Sequence, residues 1–449
     1  MKNIYLTIIL SILASTYIQA QDKNDFTLDQ AIDYGMQNNA NIKKAQNNVL
    51  IAQKKVWETT SMGFPQIDGT ASFQKFLKQP VSLLPARIID PQAPAGTYLP
   101  VKFGTEQNMK WDATLKQLIF SGSYLVGLQS SRTYKKISEN AEVKTRQKIK
   151  EAIVNAYGNA LLTDESIKIM QENIKTVAVN LFEVQQMYKN GLVEETDVEQ
   201  LQITLSNLKN QLDYQQRMKK IAYEMLNFTL GKDIQTPLKL TDDIESLKDK
   251  GMQLNLLKSN FSPNQNIDYR ISQNQEKAKE LQLKYEKTKA LPTISAFVNY
   301  GKNAYNNDFK FFDNNQSWYE QSLFGININI PIFSSLGRTA KVQQAKLDYK
   351  NAQIDLTEKE KELQLQFNKT RNDYEHSFKN YEIAKQNYKL SEKIEKKEVI
   401  KFKEGVGNSF QLNQARMQLY QSQQQYLQSI INIINKKVAL ENIIGNSIK

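Results

Sequence analysis

The sequence predicts a mostly α-helical chain that carries a transmembrane β-barrel portion. Three observations predict it: long helical patterns with few breakers, four stretches where the apolar period drops to two, and the return of both patterns in each half of the chain. Only 10 prolines and 17 glycines punctuate 449 residues, so the elements must be few and long. After the N-terminus no run approaches the roughly 18 consecutive apolar residues of a membrane-spanning helix, so only a barrel could cross a bilayer.

Residues 1–20 carry Lys2, an apolar run from Ile4 to Leu13 and a small residue at Ala20. This reads as a signal peptide for Sec export. A signal anchor is the alternative, but the run is short for a bilayer span. The chain has no cysteine, which excludes disulfides, thiolate metal sites, a cysteine nucleophile and an N-terminal lipid on cysteine. The formal charge of +12 loses one unit with Lys2. A basic excess suits nucleic acid in a cytosolic chain, but export argues against that partner, and the lysines alternate with Glu as solvated helix faces do.

The first helix opens at Thr27, an N-cap with Gln30 three residues on in capping-box spacing. A second runs from about Ile42 to Thr60 and stops before Gly63-Phe64-Pro65. The period then changes to two over Gln66 to Phe76 and Met109 to Phe120, with Met109, Trp111, Ala113 and Leu115 alternating with Lys110, Asp112, Thr114 and Lys116. These strands are long enough to cross a bilayer when tilted. Pro80 to Gln107 between them is proline-rich and aperiodic, a long external loop.

Helical pattern returns from Tyr124 to Tyr188, breaks at Asn190-Gly191-Leu192-Val193, and resumes from Thr196 to Leu230, where Gly231 closes it. Lys232 to Phe261 is mixed and irregular, and a further helix spans Asn264 to Lys289. Ile294, Ala296, Val298 and Tyr300 mark a third strand; Phe324, Ile326, Ile328, Ile330 and Ile332 mark a fourth, with Gly325, Asn327, Asn329 and Pro331 on its other face. Such two-sided strands suit a wall with lipid outside and water inside, the lumen face carrying Lys110, Asp112, Thr114, Lys116, Asn327 and Asn329.

From Arg338 a long polar helical pattern runs to Phe402-Lys-Glu-Gly-Val-Gly-Asn-Ser, and another follows to Leu440. Gly405 and Gly407 are expected to supply the positive φ that ends one helix, and Asn408 or Ser409 to cap the next. The arms of this hairpin would be roughly 100 Å and 50 Å long at 1.5 Å per residue. Leu412, Leu419, Tyr426, Ile433 and Leu440 recur every seven residues with small Ala415, Ser422 and Ser429 beside them. The first-half counterpart is Val198, Leu205, Leu212 and Leu226, interrupted by Lys219. Sevenfold recurrence predicts coiled-coil packing.

Gly191 and Gly405 lie 214 positions apart, as do Gly231 and Gly445; Pro65 and Pro292 differ by 227, and Phe120 and Phe333 by 213. The chain therefore reads as an internal duplication. Its parts are a signal (1–20), a first repeat (21–231), an equatorial segment (232–263), a second repeat (264–445) and a tail (446–449). Four strands cannot close a barrel, so the strand count itself calls for assembly with further copies.

The chain resembles the TolC-like outer-membrane efflux protein family over nearly its whole mature length. The matching pieces are Leu28-Asp29-Gln30-Ala31, Phe64-Pro65-Gln66-Ile67, Leu291-Pro292-Thr293-Ile294, Ile330-Pro331-Ile332-Phe333, Asn190-Gly191-Leu192-Val193 with Thr196-Asp197-Val198, and Gly405 with Gln411 to Ala415. The resemblance implies a homotrimer with a shared twelve-stranded barrel in outer-membrane lipid and a helical tunnel in the periplasm. The turns at Gly191, Leu192, Val193 and at Gly405, Val406, Gly407 would dock a periplasmic adaptor bound to an inner-membrane pump, proton-driven or ATP-driven. Known members narrow the tunnel with aspartates at positions matching Gln411 and Gln414; here both are amides, and Asp197 is the nearest remaining acid.

The function expected is a passive duct for small-molecule or drug efflux, needing no cofactor or metal. Type I protein secretion and metal efflux use the same component and stay open. A periplasmic coiled-coil adaptor without a pore would explain the hairpins but has no use for four bilayer-length strands. An enzyme is disfavoured: the single histidine, His376, falls in a charged helical stretch.

Overall fold

The computed structural model describes residues 24–445, so the expected signal and tail lie outside the described residues. In chain order the elements are β1 (Asp25–Phe26), α1 (Leu28–Asn38), α2 (Ala40–Ser61), β2 (Gln66–Lys75), β3 (Val81–Pro85), β4 (Tyr98–Lys102), β5 (Gln107–Ser121), α3 (Gly122–Lys189), α4 (Glu195–Leu230), β6 (Lys239–Leu240), α5 (Ile244–Gly251), α6 (Ile267–Thr288), β7 (Thr293–Asn306), β8 (Trp318–Asn329), α7 (Gly337–Lys403) and α8 (Ser409–Ile444). Among the described residues no helix is long and apolar enough to cross a membrane. The chain divides into two compact units: one from the residues up to Val49, Ser138–Gln273 and the residues from Asp355 on, the other from Leu50–Ile137 and Asn274–Ile354.

The first unit is helical. Its start is fixed locally: Thr27 Oγ1 accepts from Gln30 N (3.3 Å) while Gln30 Oε1 accepts from Thr27 N (3.1 Å), the capping box expected from the sequence. β1 pairs in parallel with β6. The main core packs Ile153, Tyr157, Ala160 and Leu161 of α3 with Leu226 and Leu230 of α4 and Ile431, Ile434 and Val438 of α8. Tyr157 is the polar centre of this core; its hydroxyl donates to Phe26 O (2.9 Å) and to Asp242 Oδ2 (3.1 Å), and Leu28 N donates to the same carboxylate (2.6 Å). Burial first, then the Asp242 charge, raises the hydroxyl pKa well above its ordinary value and keeps it a donor.

The sevenfold stripe is a buried seam. Leu412, Leu419, Ile433 and Leu440 are buried, as are Ala415, Ser422 and Ser429. In α4, Val198 and Leu226 are buried, but Leu201 and Leu208 are more enclosed than the expected Leu205 and Leu212. Lys219, which interrupts that stripe, reaches Asp164 of α3 at 2.7 Å, so a cross-helix ion pair takes the place of an apolar layer.

The second unit holds a four-stranded antiparallel sheet in the order β2-β5-β7-β8. Two expectations change here. The external loop is not structureless: β3 and β4 pair as a separate ribbon from Val81↔Lys102 to Pro85↔Tyr98, because Pro85 and Pro100 stand where a two-stranded ribbon can spare an N–H. The fourth strand is displaced toward the N-terminus, running from Trp318 to Asn329 rather than from Phe324 to Ile332. Pro331 has no N–H to continue a ladder, and Ser335 (φ 47°) and Leu336 (φ 65°) turn the chain into α7. Arg338 ties this turn, donating from Nη1 to Pro331 O (2.7 Å) and from Nε to Ser334 Oγ (3.0 Å).

Tyr157→Phe should lower stability by about 1–2 kcal/mol, since it strips a buried carbonyl and a carboxylate of one donor. The exposed Tyr214→Phe should leave the melting midpoint, followed by circular dichroism, where it was.

Candidate functional site

In the sheet, directly paired residues of neighbouring antiparallel strands project from the same face. Lys110, Asp112, Thr114 and Lys116 lie opposite Ser72, Thr70, Asp68 and Gln66 of β2 and opposite Asn303, Gly301, Asn299 and Phe297 of β7. Asn327 and Asn329 pair with Ser295 and Thr293. The register therefore puts all six expected lumen residues on one face. Side chains link across it: Asn299 Nδ2 donates to Thr114 Oγ1 (2.8 Å), Gln321 Nε2 to Asp112 Oδ1 (3.3 Å), and Lys116 Nζ lies 3.5 Å from Asp68 Oδ2.

The opposite face carries Ile67, Met109, Trp111, Ala113, Leu115, Ile294, Val298, Tyr300, Phe324, Ile326 and Ile328. Ile67, Phe324, Ile326 and Ile328 are each largely exposed. One charged row interrupts this face, Lys302 and Glu320 at 2.7 Å, in line with Trp111. An apolar sheet face of this size requires lipid or another chain against it.

In the helical unit, the two interhelical turns have the same construction. Gly191 N donates to Tyr188 O and Leu192 N to Met187 O, both at 2.9 Å; Gly405 N donates to Phe402 O (3.1 Å) and Val406 N to Lys401 O (3.0 Å). Gly191 (φ 73°) and Gly405 (φ 75°) hold the left-handed conformation that ends each helix. Gly407 does not share it, contrary to expectation. Its glycine serves close approach instead, since a Cβ there would stand 3.1 Å from Lys401 Cβ and 3.2 Å from Phe402 N. Leu192 and Val406 are 70% and 78% exposed at the turns, whereas Val193 packs into a core with Val184, Leu201, Phe402 and Leu412.

Asn408 is the N-cap of α8, its Oδ1 accepting from Gln411 N at 2.8 Å. The side chains of Gln411 and Gln414 are exposed. Asp197 is half-buried at the third position of α4; it accepts from Glu194 N (3.3 Å) and from the hydroxyl of Ser409. The structure thus joins Asp197 to the start of α8 through Ser409, and leaves the two glutamines open to solvent. His376 is exposed on α7.

The sequence model of the family described as "Outer membrane efflux protein" matches residues 265–446. Over those residues this chain is similar to the outer-membrane efflux protein family. Solved structures of such proteins share its fold. The outer membrane protein VceC from Vibrio cholerae is 14% identical, with a TM-score of 0.73 over 93% of this chain and 96% of that one. CusC is 14% identical with a TM-score of 0.74, covering 93% and 92%. The Campylobacter jejuni outer membrane channel CmeC is 17% identical with a TM-score of 0.71, covering 94% and 86%. Comparison with curated proteins gives no match.

One feature of this chain escaped the sequence reading. Arg416 of α8 is 1% exposed, with Nε 3.5 Å from Glu395 Oε1 of α7, and its Nη1 and Nη2 have no hydrogen-bond partner. Burial lowers the guanidinium pKa and pushes the hydroxyl of neighbouring Tyr420 up to about 12. The available signal was Glu395 itself, a carboxylate in the seven-residue series Phe367, Tyr374, Tyr381, Tyr388, Glu395, Phe402.

Asp197→Ala should cost about 1–3 kcal/mol, because it removes an N-terminal acceptor of α4 and leaves the buried Ser409 hydroxyl only the longer bond to Gln200 Oε1 (3.3 Å). Asp197→Asn, which keeps an acceptor, should lose less in the same denaturation measurement.

Proposed function

We propose that three copies of this chain form a passive outer-membrane duct for small-molecule efflux. The observation that carries the reading is the sheet: one face apolar and exposed, the other polar and cross-linked by side chains, with β2 and β8 as its outer strands. A strand edge facing lipid would leave backbone groups without partners, so β8 of one copy pairs with β2 of the next until twelve strands close. The polar face, with Lys110, Asp112, Thr114, Lys116, Asn327 and Asn329, then lines the lumen and the apolar face meets outer-membrane lipid.

The helices of the three copies form a periplasmic tunnel, each chain being a duplication with repeats at 21–231 and 264–445 flanking an equatorial segment at 232–263. The shared φ of Gly191 with Gly405, and of Gly231 (80°) with Gly445 (79°), supports that division. The turns at Gly191-Leu192-Val193 and Gly405-Val406-Gly407 dock a periplasmic adaptor, for which exposed Leu192 and Val406 offer apolar contact, and the adaptor links to an inner-membrane pump driven by protons or ATP. Export to this site runs through a Sec signal at 1–20. The tunnel narrows at Gln411 and Gln414 near Asp197, and a neutral ring there constricts by size rather than charge. No catalytic chemistry, cofactor or metal is assigned.

Purified protein in a planar bilayer should give long-lived single-channel steps; a pore-free scaffold would give none. Gln411→Asp with Gln414→Asp should convert that conductance to cation-selective and make it sensitive to block by divalent ions from the periplasmic side. Unchanged selectivity would place these residues away from the constriction.

A further inference from the structure

The sheet ends, at the hairpin joining β7 to β8, in a cavity walled by neutral polar groups. Its volume is about 660 Å³, and its walls come from Tyr305 and Asn306 of β7, Tyr319 of β8, and Asn307, Asn315 and Gln316 between them. Among the described residues no charged side chain lines it. Asp308 and Lys310, in the same hairpin, pair with each other at 3.4 Å.

The walls are held in place by bonds to their own neighbours. Asn306 Nδ2 donates to Gln316 Oε1 across the hairpin (2.9 Å), while Asn306 Oδ1 accepts from Asp308 N (3.1 Å). Asn307 is tied to the start of β5, its Oδ1 accepting from Glu106 N (3.0 Å) and its carbonyl from Gln107 Nε2 (3.1 Å). Phe311, 1% exposed, anchors the hairpin against Phe73 of β2 and Phe309, with ring centroids 5.8 Å and 5.7 Å away. A site fixed in this way loses little freedom when it is filled. Asn307 Nδ2, the amide of Asn315 and the hydroxyls of Tyr305 and Tyr319 have no partner among the described residues and remain for a ligand.

The two tyrosines stand on the polar face. Tyr305 pairs with Asn108 and Tyr319 with Asn303, which is opposite Lys110. An aromatic belt residue would stand on the apolar face, as Trp111 and Tyr300 do. Tyr305 and Tyr319 are 50% and 60% exposed with their rings 6.1 Å apart, so each offers ring surface to the water side. Open ring faces take C–H groups, and a side-chain amide offers a donor and an acceptor together. A pyranose answers both, with C–H bonds on its faces and hydroxyls around its rim. A phosphate or carboxylate ligand would need a cation that the walls lack, and a purely apolar one would leave the amides unpaired.

We propose that this cavity binds one unit of a neutral carbohydrate, stacked on Tyr305 and Tyr319 and hydrogen-bonded by Asn307 and Asn315. Its place inside a lumen rests on the reading of the polar face as the duct's interior; the cavity itself does not.

Full-length protein in a detergent without sugar head groups is titrated calorimetrically with maltohexaose, mannohexaose and chitohexaose in turn. At least one should bind with a dissociation constant of about 1 mM or tighter. Tyr305→Ala with Tyr319→Ala should weaken that binding at least about tenfold, and Asn315→Ala about three- to tenfold. Tyr305→Phe with Tyr319→Phe, which keeps both rings, should stay within about threefold of wild type. Binding of none of the three sugars, or equal binding by the double alanine variant, would overturn the proposal. In a planar bilayer the bound sugar should interrupt the single-channel current. Block from the helical side marks a sugar carried outward as cargo, block from the hairpin side alone marks one met outside, and either upholds the site. Conductance without sugar binding overturns the site and leaves the duct; binding without conductance upholds the site and removes the duct.

Discussion

Backbone N–H and C=O groups at the edge of a sheet must find partners wherever water is absent, and this requirement shapes the whole chain. The sheet holds four strands, a number that can be apolar on one side and polar on the other but cannot close on itself. Everything else follows from keeping such a sheet usable. The strands must alternate strictly, so that a one-residue slip would exchange the two faces. The paired registers from Gln66↔Lys116 through Thr293↔Asn329 hold that alternation across all four strands, with a single shift between Leu118 and Phe120 at the end of β5.

The helical unit meets a different constraint with a different period. Coiled-coil seams need a residue in contact every seven positions, and small residues beside them let helices approach closely. Ser422 and Ser429 satisfy their buried hydroxyls on the carbonyls of Leu419 and Tyr426, so polarity in the seam carries no unmatched group there. Lys219 with Asp164 shows that one charged layer can be tolerated when its partner is on the facing helix. Arg416 differs in being enclosed on all sides with part of its donor set unused.

Most of the fold could be read from the sequence because both periods are strong and the breakers are rare. The helix ends at Gly191 and Gly405, the capping box at Thr27 and the faces of β5 followed directly from residue type and spacing. The β3–β4 ribbon did not, since prolines mask the short apolar alternation on either side of them. The start of β8 was hidden because Glu320 breaks the apolar pattern, and only Lys302 on the adjacent strand explains its presence. The proposed mouth was legible in part. Asp197 is recognisable as a helix-start acid, but its bond to Ser409 joins residues 212 positions apart, and no local pattern encodes that. Gly407 was misread because glycine answers two needs, positive φ and close approach, and sequence does not tell them apart.

The connection between β8 and α7 has a mechanical meaning. Ser335 and Leu336 hold left-handed backbone angles that a side chain disfavours by about 1–2 kcal/mol each, and Arg338 binds the turn back to Pro331 and Ser334. A loose linker would let the strand end swivel under the helix. Here the chain is wound into a strained and tethered elbow, so twisting the first turn of α7 is resisted at the elbow and passed to the end of the strand as torque.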